Sequence, residues 1–220
     1  AEAAEYLGEA LKISPDHLGA VMNHGMAQQG AGRAAEALEC FDRALEIQPN
    51  MPEALYNRGV VLADMHRFQM AVDSYDRALV MRPEMIAALI NRGVALAAMN
   101  QLDDALASYD RVLTMQPGNV MAMNNRGLAL RALRRLPEAL EAYEQALSLK
   151  PDYTDARYNL AVALLDMQRA GEALAAFESV MAGRADDAEM FNNRGVALLT
   201  LKRPAEALAS FERTLADRKS

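Results

Sequence analysis

Apolar residues recur along this chain at the spacing of helices. Between residues 68 and 81 a single stripe is formed by Ala71, Tyr75, Ala78 and Leu79. These positions follow the i, i+4, i+7, i+8 pattern of an amphipathic helix. Pro83 ends the segment, because proline cannot continue a helix interior and biases the residue before it away from helical angles. With the stretch that precedes it, the pattern predicts two helices, over about residues 52–65 and 68–81.

The same pattern returns with a period of 34 residues. Prolines mark the period at Pro15, Pro49, Pro83, Pro117 and Pro151. Three columns keep the step: a small residue (Gly25, Gly59, Gly93, Gly127, Ala161, Gly195), an alanine (Ala37, Ala71, Ala105, Ala139, Ala173, Ala207) and an aromatic residue (Phe41, Tyr75, Tyr109, Tyr143, Phe177, Phe211). The small residues permit close helix approach, and we expect the aromatic ring to fill the space between neighbouring pairs. One pair cannot bury its apolar face alone, so stacked pairs must supply the core.

These columns resemble the tetratricopeptide repeat family, whose unit is a helix–turn–helix of the same length. The resemblance covers the whole chain, although residues such as Leu55 replace the family's usual Trp, and arginine usually replaces its Leu before the glycine. It implies an all-α fold, a right-handed superhelix (an alpha-alpha solenoid) of antiparallel helix pairs whose first helices line a concave groove. The predicted parts of this one solenoid domain are a second-helix half-repeat at 1–17 and repeats 1 to 6 at 18–51, 52–85, 86–119, 120–153, 154–187 and 188–220.

An asparagine recurs at one position of every first helix. The column consists of Asn23, Asn57, Asn91, Asn125, Asn159 and Asn193. Asparagine is a mediocre helix former, so six copies cost about 4 kcal/mol relative to alanine. The resemblance places the column on the concave side, where each amide offers two donors and one acceptor. Neighbouring helices lie about 10 Å apart and an extended chain advances about 3.3 Å per residue, so each asparagine would meet about every third residue of a peptide.

Duplication of one ancestral unit would also produce such a column, and so would a packing role in which each asparagine bonds the adjacent repeat. Both alternatives stay open. The residue just before each asparagine has diverged, which opposes duplication: it is Met22, Tyr56, Ile90, Asn124, Tyr158 and Asn192. We therefore expect a protein or extended-peptide partner. Its predicted contacts are the six asparagines together with Tyr56, Asn124, Arg131, Tyr158 and Asn192.

The column is similar to that of the repeat arm of O-linked N-acetylglucosamine transferases, which hold substrate polypeptides by their backbone. This likeness implies an alternative function, the substrate-recognition arm of a larger enzyme, although no glycosyltransferase segment lies in this sequence. The dicarboxylate clamp of chaperone adaptors, which needs Lys and Arg in the groove, is disfavoured. Position 2 of each repeat reads Gly19, Glu53, Ala87, Met121, Asp155 and Glu189. Asp64 and Asp166 add acid and Arg131 is the one expected groove cation, so anionic ligands are expected to bind poorly.

Two arginine columns are predicted to be structural. Arg58, Arg92, Arg126 and Arg194 precede the glycines and are expected to pair with second-helix acids such as Asp76, Asp110, Glu144 and Glu212. Arg33, Arg67, Arg135, Arg169 and Arg203 lie at the turns and are expected to be solvated near acids such as Glu36, Glu138, Glu172 and Glu206.

Composition narrows the function further. The net charge of -7 is spread over 220 residues without a basic face, which predicts no nucleic-acid binding. No apolar stretch approaches the roughly 20 residues that insert in a membrane. The single cysteine, Cys40, and the lack of a signal-peptide pattern favour a cytoplasmic location. His17, His24 and His66 lack metal-ligand spacing and no catalytic motif is present, so we expect a non-catalytic chain without cofactors.

The ends and one junction carry further expectations. The sequence begins with Ala and in mid-repeat, which indicates an excised piece of a longer chain, and its uncapped ends favour homo-oligomerisation. Between repeats 5 and 6 the proline is lost and Gly183 replaces an apolar residue that is Ile47, Met81, Met115 or Leu149 elsewhere. A looser joint is predicted there.

Overall fold

The computed structural model describes Ser14, residues 16–181 and residues 188–217, with side chains described as far as Thr214. The regular structure of these residues consists of twelve α-helices in six consecutive pairs, which confirms the all-α repeat fold. The first helices of repeats 1 to 6 are Leu18–Gly30, Pro52–Asp64, Ile86–Ala98, Val120–Ala132, Thr154–Asp166 and Ala188–Thr200. The second helices are Ala34–Ile47, Phe68–Met81, Leu102–Met115, Leu136–Leu149, Ala170–Val180 and Pro204–Asp217. The helices predicted for repeat 2 agree with these bounds to within one residue.

The chain divides into two compact units, Ala1–Met115 (unit 1) and Gln116–Ser220 (unit 2). Repeats 1 to 3 lie in unit 1 and repeats 4 to 6 in unit 2. A single continuous solenoid domain and the half-repeat at its start stay predictions. The predicted loose joint at Gly183 lies outside the described residues. The apolar residues at the corresponding positions, such as Ile47 and Leu149, are 38% and 56% exposed.

Each helix pair is closed by a turn with one residue in the left-handed backbone region. These residues, with φ between 57 and 74°, are Gly32, His66, Asn100, Arg134, Gln168 and Lys202. In repeat 2 the backbone N–H of Arg67 donates to the carbonyl oxygen of Leu62 at 2.8 Å, and that of His66 donates to Ala63 at 2.9 Å. This pattern satisfies the last carbonyls of the first helix and reverses the chain. The turn therefore lays the second helix against the first.

The aromatic column packs onto the small-residue column of its own pair. A Cβ atom added at Gly59 would lie 2.5 Å from Cε1 of Tyr75, and one added at Gly93 would lie equally close to Tyr109. The ring therefore occupies the site where the two helices of one pair come closest, and the Tyr75 hydroxyl also bonds Asn91 of the next pair. That the rings fill the space between neighbouring pairs stays a prediction. Burial raises the pKa of the Tyr75 and Tyr109 hydroxyls.

Arginine bridges join successive pairs. Nε of Arg58 donates to Asp42 at 2.6 Å, and its Nη1 donates to the buried Ser74 hydroxyl at 2.7 Å. The corresponding bridges are Asp76–Arg92–Ser108 and Glu178–Arg194–Ser210. Pairing with second-helix acids is thus confirmed, with one correction. The acid belongs to the preceding repeat, so that Arg194 pairs with Glu178 rather than with Glu212 of its own repeat.

Turn arginines pair on the surface, as predicted. Arg135, Arg169 and Arg203 each donate two hydrogen bonds, at 2.6 and 2.7 Å, to the glutamate three residues later. The acids are Glu138, Glu172 and Glu206. All six side chains are substantially exposed, so these pairs add little stability.

Candidate functional site

The asparagine row, defined as Asn23, Asn57, Asn91, Asn125, Asn159 and Asn193, lies on the first helices. Three members belong to unit 1 and three to unit 2. Asn23 is exposed and the others are half-buried. No member of the row is therefore buried, and each residue keeps part of its surface exposed to solvent.

Three members of the row bond the preceding repeat. Nδ2 of Asn91 donates to the Tyr56 hydroxyl at 3.3 Å, and Nδ2 of Asn193 donates to the Tyr158 hydroxyl at 2.9 Å. Asn159 makes the equivalent bond to the side-chain oxygen of Asn124, at 2.9 Å. In every case the acceptor stands 35 residues earlier, directly before the previous member of the row. The packing role that the sequence left open is therefore present in the geometry.

Each inter-repeat bond uses only part of the hydrogen-bonding capacity of its asparagine amide. A primary amide carries two N–H donors and one carbonyl acceptor, and the inter-repeat bond uses one donor. Asn91 also shares a side-chain hydrogen bond with the Tyr75 hydroxyl. The inter-repeat bond restrains the amide, and a restrained polar group loses less side-chain entropy when it binds a ligand.

The residues before the row divide into two groups. Asn124 and Tyr158 are buried and, like Tyr56, accept bonds from the next repeat, so these residues support the row. Tyr56 is half-buried, with its ring centroid 6.1 Å from that of Tyr75. Asn192 is exposed. Direct ligand contacts by these residues stay predictions.

The charges that were expected to face a ligand pair with one another. Nε of Arg131 donates to Asp166 at 2.8 Å, so this cation and this acid neutralise each other within unit 2. In unit 1 Arg82 donates to Glu53 at 2.6 Å. A hydrogen bond from its own backbone N–H, together with Arg82, holds the pKa of Glu53 below its ordinary value. The local charge at these positions is smaller than the sequence suggested.

A second column on the same helices escaped the sequence analysis. The residue three positions after each asparagine is always aliphatic: Met26, Val60, Val94, Leu128, Val162 and Val196. We call these residues the aliphatic row. Val94 is 48% exposed and Leu128 38%, so the row is not part of the core. Its period was visible in the sequence, but an aliphatic residue on a helix is read as buried until a structure shows otherwise.

The described residues contain no group of three or more His, Cys, Asp or Glu side chains that could hold a metal ion. Within the same residues, no helix has the length and apolar character needed to cross a bilayer. Cys40 lies 3.8 Å from Nδ1 of His24, and burial raises the pKa of its thiol, which lowers its reactivity.

Sequence and structure comparisons agree with this architecture. Models of the tetratricopeptide repeat match residues 1–52, 22–86, 56–120 and 90–154, and related models of that repeat match 130–195 and 188–220. A search of curated protein sequences finds no match.

Three solved structures illustrate the likeness. MamA from Desulfovibrio magneticus RS-1, residue 41 to the end, is 26% identical over 77% of this chain and 97% of its own, with a TM-score of 0.71. A tetratricopeptide repeat protein from Parabacteroides merdae ATCC 43184 is 20% identical, with a TM-score of 0.80 and coverage of 91% and 79%. YrrB, described as a repeat protein with an unusual peptide-binding site, is 22% identical, with a TM-score of 0.69 and coverage of 91% and 100%. The last two show the fold alone.

Matches to the repeat models extend over the whole chain and coincide with its observed helix pairs. The chain belongs to the tetratricopeptide repeat family.

Proposed function

We propose that the asparagine row holds an extended polypeptide by its backbone, and that the chain acts by binding rather than by catalysis. Proteins of this family are protein-interaction scaffolds, and one structural neighbour, YrrB, is described as having a peptide-binding site. The observation that carries the proposal is the repeated restraint of the amides. Asn159 and Asn193 each spend one N–H on the preceding repeat, Asn91 bonds two tyrosine hydroxyls there, and all three residues remain partly exposed.

The competing hypothesis is that the asparagines only join repeats. Joining alone explains poorly why the acceptor varies between a tyrosine hydroxyl and an amide while the donor stays asparagine. A backbone ligand needs the same amide in every repeat, because every peptide group presents the same donor and acceptor.

The affinity expected from the row alone is modest. Each hydrogen bond contributes about 1 kcal/mol net, whereas each ordered peptide residue costs about 1–2 kcal/mol. The row therefore sets the position and direction of the ligand, and neighbouring side chains must supply further binding energy.

The test compares variants that separate the two roles of the asparagines. Asn91→Ala/Asn193→Ala removes the amides, whereas Tyr56→Phe/Tyr158→Phe removes only the acceptors of their inter-repeat bonds. Binding of unstructured peptides to the full chain is measured by fluorescence anisotropy, and stability by thermal unfolding. The alanine pair is expected to weaken binding about thirtyfold, because two lost hydrogen bonds cost about 2 kcal/mol together. The phenylalanine pair is expected to lower stability while affinity changes less than about threefold.

If the two pairs change stability equally and neither changes affinity, the asparagines only join repeats and the proposal is wrong. A cytoplasmic location, attachment to a catalytic domain and homo-oligomerisation stay predictions.

A further inference from the structure

The aliphatic row lies beside the asparagine row. Its residues follow the asparagines by three positions, and residues three apart share a helix face with Cβ atoms about 5–6 Å apart. Three members whose side chains stand well out into solvent are Met26 at 46%, Val94 at 48% and Val196 at 40% exposure. The first helices of each unit therefore carry a polar row and an apolar row in parallel.

Packing explains only part of the aliphatic row, since Val60 and Val162 are half-buried while the other four members are exposed. Valine is a poorer helix former than alanine, so an exposed valine in a helix costs stability without burying much surface. Duplication does not explain it, because position 2 of the same helices has diverged. Glu53 and Met121 stand there, with Ala87 between them in repeat 3. The aliphatic row keeps its apolar character while position 2 of the same helices varies, so it is suited to contact with an apolar group of a ligand.

The spacing of the helices selects the conformation of that ligand. Packed helices lie about 8–10 Å apart. A polyproline II chain completes one turn in three residues and advances about 9.3 Å, so every third side chain points the same way. A β-strand presents every second residue on one face, about 6.7 Å apart, and turns its third side chain away. Only the polyproline II chain places equivalent side chains on successive repeats.

The backbone chemistry agrees with this selection. A polyproline II chain makes no internal hydrogen bonds, so its N–H and C=O groups are available to the asparagine row. Exposed acids at the margin, such as Asp64 and Glu189, disfavour acidic residues in the ligand.

We propose that each unit binds a polyproline II segment of about nine residues that carries an aliphatic side chain at every third position and no acidic residues. This inference rests on the proposed function, since it assigns side-chain preference to the ligand whose backbone the asparagines hold.

The test uses three synthetic peptides of equal composition and net charge. Leucine stands at every third position in the first, at every second in the second and in one block in the third. Each is titrated by fluorescence anisotropy against the full chain and against Val94→Ser/Leu128→Ser/Val196→Ser. The matched control is Val80→Ser/Leu208→Ser, which alters side chains on the second helices that are 73% and 60% exposed.

The first peptide is expected to bind wild type about tenfold more tightly than the other two. The aliphatic-row variant should abolish that preference, and the control should keep it. The tenfold effect corresponds to partial burial of about two valine side chains.

The outcomes separate this inference from the function on which it rests. If all three peptides bind alike and the aliphatic-row variant changes nothing, the side-chain preference is overturned while backbone binding stands. Preference for alternate leucines would overturn the polyproline II conformation. If no peptide binds wild type, the proposed function fails and the inference fails with it.

Discussion

Repeats 2 and 5 pack the same helix pair with different side chains. In repeat 2 Gly59 packs on the Tyr75 ring, and Arg58 beside it donates a hydrogen bond to the buried Ser74. Repeat 5 has apolar or small residues at the corresponding positions: Leu160, Ala161 and Ala176 around Phe177. The arginine bridge therefore joins some successive repeats, whereas the junction between repeats 4 and 5 lacks the arginine that would form it.

The junction between repeats 4 and 5 uses first-helix bonds instead. Arg131 pairs with Asp166 of the next repeat, and Asn159 donates to Asn124 of the preceding one. Repeat 2 has no such ion pair at the corresponding positions, because Ala63 and Ala97 replace the arginine in repeats 2 and 3. Asparagine bonds also join repeats where the second-helix bridge is present, as Asn91 does, and the ion pair is the addition at the junction that lacks the bridge. Substitutions there are expected to affect stability as well as binding.

The largest contrast concerns the small-residue column. Gly59→Ala is expected to lower the free energy of unfolding by about 2 kcal/mol, because overpacking against the buried Tyr75 ring exceeds the gain from replacing a helical glycine. Thermal unfolding followed by far-UV circular dichroism measures the change.

Gly171→Ala in repeat 5 is the matched control, since no atom lies within 4 Å of its added Cβ. It should stabilise the chain by about 0.5–1 kcal/mol. If both substitutions changed the free energy of unfolding equally, close contact with the aromatic ring would not be the reason for glycine at position 59.

The second contrast dissects the arginine bridge. Arg58→Leu is expected to cost about 1.5 kcal/mol, mostly through the buried Ser74 bond, because Asp42 is half-exposed. Ser74→Ala should cost about 1 kcal/mol less in the Arg58→Leu background than in wild type. A double-mutant cycle from chemical denaturation measures this coupling.

The reverse exchange sharpens the result. The double variant Leu160→Arg/Ala176→Ser in repeat 5 should have a higher free energy of unfolding than the effects of the two single substitutions add up to. The reason is that Glu144, at the position of Asp42, can accept a bond from the new arginine. Strict additivity in both repeats would mean that the bridge contributes nothing to cohesion.

The third contrast compares two buried tyrosines. The Tyr143 hydroxyl is buried and has no hydrogen-bond partner among the described residues, whereas the Tyr75 hydroxyl bonds Asn91. Tyr143→Phe is therefore expected to stabilise the chain by about 1 kcal/mol and Tyr75→Phe to destabilise it by about as much. Opposite shifts of the melting temperature support this assignment, and shifts of one sign would contradict it.

The smallest contrast is acid sensitivity. The exposed Glu172 accepts two bonds from Arg169, which lowers the pKa of its carboxyl from the ordinary value of 4.5, whereas repeat 2 has Met70 at that position. A lowered folded-state pKa means that the contribution is present at neutral pH and is lost as pH falls below about 4.5. Glu172→Gln should therefore lower the melting temperature slightly at neutral pH and leave it unchanged at about pH 3. An equal decrease at both pH values would exclude the ion pair as its cause.

Much of the fold follows from local signals. The bounds of the repeat 2 helices came from apolar spacing and Pro83, and both signals act within a few residues of the chain. The packing of Tyr75 on Gly59 was only half predicted. The sequence showed that both columns matter, but the partner of the ring depends on how closely two helices approach.

The sequence predicted which helices carry the candidate site but not which side chains its residues bond. The asparagines lie on the first helices, as the repeat indicated, and none of them is buried. Their contact with a ligand stays a prediction. That Asn193 bonds Tyr158, and that Arg131 is neutralised by Asp166, depends on side chains 35 residues away.

The sequence by itself determined the helix pairs, their period and the columns that recur, because helix formation and termination depend on neighbouring residues. Only the tertiary structure decided which columns join repeats and which meet solvent. Arg58 reaches back to Asp42, while Val94 stays exposed on a first helix. Both outcomes depend on the angle and distance at which successive pairs pack, and a one-dimensional pattern does not contain these quantities.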